Sequence, residues 1–94
     1  MFYVLATIHL LAENGRKTPI KSGFKCPMRI GNEHWDCYVT FDGDSIALGE
    51  TRSGVKIEFL SPESVSERLT ENSVFYFVEG RVVASGTVDV CYRH

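Results

Sequence analysis

Hydrophobic side chains stand at every second position through much of this chain, and this period of two constrains the fold more than any other feature. In residues 24–30 the side chains of Phe24, Cys26, Met28 and Ile30 alternate with those of Lys25, Pro27 and Arg29. Successive side chains of a strand point to opposite faces, so the pattern predicts a half-buried β-strand with a basic outer face. Residues 34–41 alternate in the same way after the short connection IGNEH, which predicts a hairpin. Pro27 has no N–H to donate, which favours an edge or bulged position.

The remaining segments add further strands. VKIEFL, from Val55, alternates again, and SVFYFV, from Ser73, is a continuous apolar run typical of a central strand. EGRVVASGTVDV follows it after the turn glycine Gly80 and predicts a second hairpin, in which Gly86 indicates a bulge or sharp bend. Residues 2–12 also fit a helical stripe, but their β-branched side chains and the lack of a preceding cap favour a strand.

Little of the chain favours a helix. SPESVSERLTEN is compatible with one helical turn that Ser61 would cap and Pro62 would begin. A brief strand is predicted at residues 45–48, inside an otherwise turn-rich segment. The chain has 94 residues, a length typical of a single domain, here residues 1–94. Six or seven short strands without a sustained helix predict an all-β sandwich or barrel.

Positive charge is concentrated in one segment of a slightly acidic chain. The formal net charge is -2, yet residues 14–30 hold five of the ten basic side chains and no acidic one: Arg16, Lys17, Lys21, Lys25 and Arg29. Without an overall basic excess, contact with nucleic acid would have to come from this local patch, and we expect no DNA partner. The competing interpretation is a solvated loop and strand face balanced by Glu33 and Asp36 on the neighbouring strand.

The cysteines and the apolar start indicate the compartment. Cys26, Cys37 and Cys91 are odd in number and widely spaced, so they do not read as a disulfide framework and suit a reducing environment. The apolar start has neither the basic beginning nor the cleavage site of a signal peptide and is too short to cross a bilayer. We therefore expect a cytoplasmic protein that does not associate with a membrane.

The sequence carries no pattern of a catalytic, metal or cofactor site. The possible soft ligands are Cys26, Cys37, Cys91, His9, His34 and His94, and none of them has the local spacing of a metal-ligand pair. His34 and Cys37 are three residues apart on one strand, so their side chains should point to opposite faces and cannot form a catalytic dyad. We expect no metal, no cofactor and no enzymatic activity.

The apolar run at residues 74–78 indicates association. One of its faces should line the interior, and the other must be covered by a loop, a partner or a second copy of the chain. The covered face is either that of Phe75 and Phe77 or that of Val74, Tyr76 and Val78. A homodimer through this strand is therefore one expectation. Elsewhere in the chain as well as in this run, Tyr3, Tyr38, Phe75, Tyr76 and Phe77 are candidates for a platform that stacks bases, and the competing interpretation is that they form the core and its cover.

Three blocks of the chain resemble the third, C-terminal domain of translation elongation factor Tu. GRKTPIKSGF matches that family's G-R-x-T-P loop, followed by a glycine and an aromatic residue. VKIEFLSPESV is similar to a strand that ends in a proline-containing turn, and FVEGRVVASGTV resembles the closing hairpin. The blocks stand in the family's order and cover nearly the whole chain.

The resemblance implies a six-stranded closed antiparallel β-barrel. The family's domain helps to hold the acceptor and T-stem side of aminoacyl-tRNA, packs on a nucleotide-binding domain and contacts an exchange factor. Arg16, Lys17 and Thr18, and then Gly80 and Arg81, match places near its RNA contacts. The chain departs from the family in its short IGNEHW connection and single-glycine closing turn. It also lacks G-x-x-x-x-G-K-[ST], so the resemblance does not extend to nucleotide hydrolysis.

The sequence thus predicts a stand-alone, non-catalytic binding module whose partner is a protein or a structured, tRNA-like RNA. The alternative is a small enzyme or a ligand-binding barrel with a pocket that no motif reveals. The predicted contact residues are Arg16, Lys17, Thr18, Lys21, Lys25, Arg29, Gly80 and Arg81.

Overall fold

The computed structural model describes residues 1–93. Within this range, eight strands and one short helix follow one another: β1 (Phe2–Leu10), β2 (Ile20–Lys21), β3 (Phe24–Ile30), β4 (Glu33–Thr40), β5 (Ser45–Ile46), β6 (Thr51–Phe59), α1 (Pro62–Ser66), β7 (Val74–Val78) and β8 (Val82–Arg93). The long first segment is a strand, as predicted, because every second side chain from Phe2 to Leu10 is buried.

Six of the strands close into a barrel in the order β1-β6-β4-β3-β7-β8, with β8 pairing back to β1. All of the pairings are antiparallel. The predicted all-β class and the closed six-stranded antiparallel barrel are therefore confirmed. Closure leaves no open edge on the main sheet. The two short strands β2 and β5 pair with each other outside the barrel, Ile20 with Ile46 and Lys21 with Ser45.

The interior of the barrel is filled with side chains from every barrel strand. Phe75 and Phe77 are fully buried, whereas Val74 is 55% exposed. The apolar run of β7 therefore turns its two phenylalanines inward and Val74, Tyr76 and Val78 outward. Each large apolar side chain removed from water in this way contributes about 1.5–3 kcal/mol to folding.

The bulge predicted as one possibility at Gly86 is absent, because β8 pairs there in regular register with both β1 and β7. Gly86 lies opposite Phe75 on β7, and a Cβ at this position would stand 2.3 Å from the Cζ atom of the Phe75 ring. The glycine therefore leaves room for a buried aromatic ring. A bulge does occur at Gly54, where Ser53 and Gly54 of β6 face the single residue Thr7 of β1. Gly54 has φ 70°, a left-handed conformation that favours glycine.

The helical turn forms where the sequence predicts it, and Pro62 begins it. Ser61 occupies the N-cap position, but its side chain makes no capping hydrogen bond. Val65 anchors the turn in the core. The guanidinium of Arg93 donates to the carbonyls of Ser66 and Leu69, both at 2.8 Å, and so satisfies carbonyl groups at the end of the turn. None of the helical residues in the described range 1–93 forms a segment long and apolar enough to span a membrane.

The seam between β3 and β7 is the shortest pairing of the barrel. Only Met28 with Phe77 and Arg29 with Tyr76 pair there, whereas β1 and β8 pair along nine residues, Phe2 to Leu10 on β1. Pro27 lies one residue beyond this seam and opposite Asp36 on the other side, without a bulge. Pro27 is therefore neither in an edge strand nor in a bulge, the two positions that the sequence predicted, but lies where the pairing of β3 with β7 has ended, so its missing N–H removes no pairing there.

Candidate binding surface

The loop between β1 and β2 brings the G-R-x-T-P residues against the start of β8. The N–H of Leu11 donates to the carbonyl of Val83 at 3.0 Å, and Asn14 has φ 62°, so the chain turns sharply there. A Cβ on Gly15 would approach the Val83 Cα to 3.3 Å. The close approach of the two backbones therefore explains why a glycine precedes Arg16.

Arg16 is held by contacts within the protein. Its Nη1 donates to Glu79 Oε1 at 2.7 Å, and its Nε donates to the carbonyl of Thr18 at 3.1 Å. The guanidinium also lies 4.8 Å from the centroid of the Phe24 ring. Glu79 belongs to the β7–β8 turn, so this one side chain joins the loop to the closing hairpin. Because its donors and its planar face are engaged within the protein, Arg16 serves mainly to hold the loop in place. It has few free donors left for a partner.

The loop and the start of β3 enclose a surface groove of about 550 Å³. Its lining residues are Arg16, Thr18, Pro19, Lys21, Ser22, Gly23, Phe24 and Ser45. The groove is held in shape by Gly23, whose N–H donates to the Val39 carbonyl at 2.8 Å, and by Ser22, whose Oγ accepts from the Phe41 N–H at 3.0 Å. Lys21 lies at this groove and Lys17 beside it in the loop, and both are exposed.

Lys25 and Arg29 lie on the outer face of β3, each over an aromatic ring of a neighbouring strand. The Lys25 Nζ is 4.9 Å from the centroid of Tyr38 on β4, and the Arg29 Cζ is 4.9 Å from that of Tyr76 on β7. The register opposes these residues directly, Lys25 to Tyr38 and Arg29 to Tyr76. The two residues are four positions apart on the strand, which corresponds to about 13 Å between their Cα atoms.

Gly80 and Arg81 form the tip of the closing hairpin, next to Glu79. Gly80 has φ 74°, and the Glu79 N–H donates to the Arg81 carbonyl at 2.9 Å. Arg81 is exposed. The structure thus brings the matched loop and the matched turn together through the pair of Arg16 and Glu79. Arg29 lies apart, at the far end of β3.

The two acidic residues expected to balance the basic face do not do so. Glu33 pairs with Arg68, at 3.3 Å, and Asp36 is exposed opposite Pro27. The strand register explains this. Lys25 lies opposite Tyr38, and Arg29 lies opposite His34 on β4 and Tyr76 on β7, so neither cation has an acidic residue directly across from it. Six of the ten Lys and Arg side chains have no carboxylate at ion-pair distance among residues 1–93: Lys17, Lys21, Lys25, Arg29, Arg81 and Arg93. Of these, Arg93 donates to backbone carbonyls instead.

Sequence reasoning missed Glu79 as the partner of Arg16, and the tyrosines that lie beneath Lys25 and Arg29. Each of these contacts joins residues from different strands or loops, so no local signal in the sequence marks it. The proposed aromatic platform is also divided by the fold. Phe75 and Phe77 are inside, Tyr38 and Tyr76 lie under cations, and Tyr3 stacks on Tyr92 with centroids 4.7 Å apart.

Among the candidate metal ligands that the structure describes, Cys26 and Cys37 are direct partners across the β3–β4 pair, and no third ligand joins them. Within residues 1–93, no three His, Cys, Asp or Glu side chains cluster in a way that would hold a metal ion. His34 is exposed and Cys37 is buried, which confirms that they point to opposite faces of β4. His94 lies outside the described residues.

No family model matches this chain, and no curated protein matches it significantly in sequence.

Proposed function

We propose that this barrel is a non-catalytic binding module whose basic surface contacts a structured RNA or an acidic face of a protein. The observation that carries the proposal is the set of exposed cations without carboxylate partners among residues 1–93, beside a groove of about 550 Å³. Lys17 and Lys21 lie on the loop, and Arg81 lies on the adjoining turn. Ammonium and guanidinium groups neutralise phosphates or carboxylates, and an unpaired cation has no internal ion pair to break on binding.

The resemblance to the third domain of elongation factor Tu supports RNA as the first partner to test. Its matched residues in the loop and in the closing turn are neighbours in this structure, joined by Arg16 and Glu79. A tRNA-like stem presents phosphates over a wide surface, which suits cations spread along the loop and β3. The proposal places the protein in the cytoplasm, where the free thiols of all three cysteines suit a reducing environment.

A small enzyme or ligand-binding barrel is the second candidate. The observation that favours it is a groove of about 350 Å³ on the outer surface, where His9 Nδ1 lies 2.8 Å from Thr51 Oγ1. Tyr76 and Ser85 also line this groove. It is separate from the basic loop, so His9→Ala should leave binding through Lys17 and Lys21 unchanged.

Self-association through the outer face of β7 is proposed beside these functions, since Val74 is 55% exposed there. Tyr76 on the same face is covered by Arg29. Sedimentation across a range of concentrations tests this. Val74→Glu should remove any dimer, and a wild-type protein that stays monomeric at all concentrations would contradict it.

The deciding experiment is a mobility shift with tRNA and total RNA at low and physiological salt. Lys17→Gln with Lys21→Gln should weaken binding and reduce the slope of log K against log salt by about 1–2, because each phosphate contact contributes roughly one unit. Lys56→Gln with Arg68→Gln removes the same charge elsewhere and is the matched control. Arg16 is left intact, since its loss would disturb the loop.

The result also chooses between the two classes of partner. RNA binding that the control retains and the loop variant loses supports the RNA version. If RNA does not bind even at low salt, the same two variants are compared in cross-linking to proteins of the native cell. A loop variant that behaves as the control does in both experiments would overturn the proposed function.

A further inference from the structure

We propose that Cys26 and Cys37 are a dithiol that a peroxide oxidises to a cross-strand disulfide, which joins β3 to β4 covalently. The two residues are direct partners in the register of the β3–β4 hairpin. The Cα atoms of such partners lie about 4.5–5.5 Å apart, within the range of about 4.4–6.8 Å found for disulfides. The bond therefore needs no change of register.

Both side chains point into the barrel, where they meet each other. Cys26 is 6% exposed and Cys37 is 2% exposed. The Cys37 Sγ lies 3.3 Å from the carbonyl oxygen of Cys26, so it already reaches across the gap between the strands. The neighbouring Cys37 side chain, together with burial, raises the pKa of the Cys26 thiol.

The third cysteine has a different environment. Cys91 is half-buried on β8, a strand that pairs with β1 and β7 but with neither β3 nor β4. Its Sγ lies 4.0 Å from the carbonyl oxygen of Leu69. Cys91 therefore serves as an internal control for nonspecific oxidation of thiols.

Access of a small oxidant to the buried pair depends on local opening of the hairpin. A groove of about 280 Å³ lies over this part of the hairpin, lined by Lys25, Cys26, Pro27, Asp36, Cys37, Tyr38 and Leu60. Cys26 is the more exposed of the two thiols and is the expected first site of attack. Hydrogen peroxide is of similar size to water, so brief local opening of the hairpin suffices to admit it.

The reaction balances in two steps. The Cys26 thiol releases its proton, and the thiolate attacks one oxygen of the peroxide. The O–O bond breaks to give sulfenic acid and hydroxide, and the hydroxide takes up the released proton to become water. The Cys37 thiol then attacks the Cys26 sulfur, the S–S bond forms, and the sulfenic oxygen leaves as a second water. In sum, two thiols lose two protons and two electrons, and one peroxide is reduced to two waters. Because the Cys26 pKa is raised, the thiolate is scarce at neutral pH, and the rate should increase with pH.

The experiment treats the folded chain with hydrogen peroxide at about pH 7 and about pH 9, and then blocks the remaining thiols with an alkylating reagent. Before alkylation, the intact mass should decrease by about 2 Da for one disulfide, faster at the higher pH and reversibly on addition of a dithiol reductant. Trypsin cleaves after Lys25, Arg29 and Arg52, so the disulfide should link the peptides of residues 26–29 and 30–52. Cys91→Ser should give the same product, whereas Cys26→Ser and Cys37→Ser should not.

The peptide map of the wild-type protein decides the question even if a buried serine prevents a variant from folding. The linked pair of peptides after oxidation of the folded protein supports the proposal. It is overturned if the disulfide involves Cys91, or if oxidation adds oxygen to the cysteines without linking the two peptides. It is also overturned if the link forms only in guanidinium, or does not form at the higher pH. The inference stands apart from the proposed binding function.

Discussion

The Arg16 guanidinium lies 2.7 Å from the Glu79 carboxylate, 63 residues further along the chain, and this pair joins the basic loop to the closing hairpin. The Arg16 side chain is 21% exposed, so water screens the pair only in part. The same guanidinium donates to Thr18 and covers the ring of Phe24. The order of the candidate surface therefore depends on an arginine whose guanidinium is engaged within the protein. The positive potential of the surface depends on the lysines around it.

Arg16→Ala should lower the free energy of unfolding by about 1 kcal/mol, because it removes a partly exposed ion pair and a cation–π contact. Lys17→Ala, the neighbouring control, should change it by less than about 0.5 kcal/mol, since its side chain is exposed. Urea unfolding measures both. In a double-mutant cycle, Arg16→Ala with Glu79→Ala should lower the free energy of unfolding by less than the sum of the two single substitutions, because either one alone already breaks the ion pair. Equal effects of Arg16→Ala and Lys17→Ala would contradict this role for Arg16.

Gly86→Ala should destabilise the barrel by about 1–3 kcal/mol, because the added methyl group overlaps the buried Phe75 ring. In a domain of this size the melting temperature falls by about 4–8 °C for each kcal/mol. Thermal unfolding followed by circular dichroism measures the change. Ser85→Ala, one residue away, should have little effect. Phe75→Leu should reduce the free energy of unfolding by less in the Gly86→Ala background than in the wild-type protein, because the smaller side chain relieves the overlap. If the effects of the two substitutions simply add, the overlap is not the cause.

The β3–β7 seam should be the first part of the barrel to open. It pairs only two residues, and Arg29 crosses it to cover Tyr76. Hydrogen exchange across this seam should therefore be faster than across β1 and β8. Arg29→Ala should accelerate exchange in residues 74–78 selectively. Lys25→Ala is the control, since it removes a similar contact over Tyr38 within the fully paired β3–β4 hairpin. It should leave exchange in residues 74–78 unchanged. Uniform exchange over all six strands would contradict the prediction.

Glu50 should make stability depend on pH in the acid range. The Ala47 N–H and the Arg52 guanidinium, at 2.9 Å and 2.6 Å, lower its pKa below the ordinary value. A lowered pKa stabilises the fold above the ordinary value of about 4.3, and this contribution is lost as the pH falls through the lowered pKa. Glu50→Gln should thus lower the melting temperature at about pH 7, and the difference from wild type should diminish below about pH 4.

The control for Glu50 is Glu58→Gln, because Glu58 lies 4.0 Å from Lys56 in a pair that is more exposed. Its effect should be smaller at every pH. If Glu50→Gln and wild type differ equally at both ends of the pH range, the charge of Glu50 is not the cause.

The alternation of side chains predicted the strands because it is a local property. Residues 24–30 form a strand with the predicted bounds, and the helical turn begins at Pro62 as predicted. The concentration of cations in residues 14–30 was also visible directly. A period of two assigns residues to opposite faces wherever one face is polar, as in β3.

The same rule fails where both faces of a strand are apolar. In residues 74–78 the alternation does not show which set of side chains faces the interior. The placement of β7 between β3 and β8 in the closed barrel decided this, and Phe75 and Phe77 face inward. The sequence predicted a bulge or sharp bend at Gly86 because it does not show that the Phe75 ring lies opposite this glycine. The Phe75 ring fills the space left by its missing side chain.

By itself, then, the sequence determined the strand positions, the basic segment and the all-β class, because each follows from side-chain polarity over a few neighbouring residues. Only the tertiary structure decided which residues meet. It placed Glu79 beside Arg16, Tyr76 beneath Arg29 and Cys37 opposite Cys26. The physical reason is that closing a barrel sets the register of every strand at once, and this register depends on packing across the whole core.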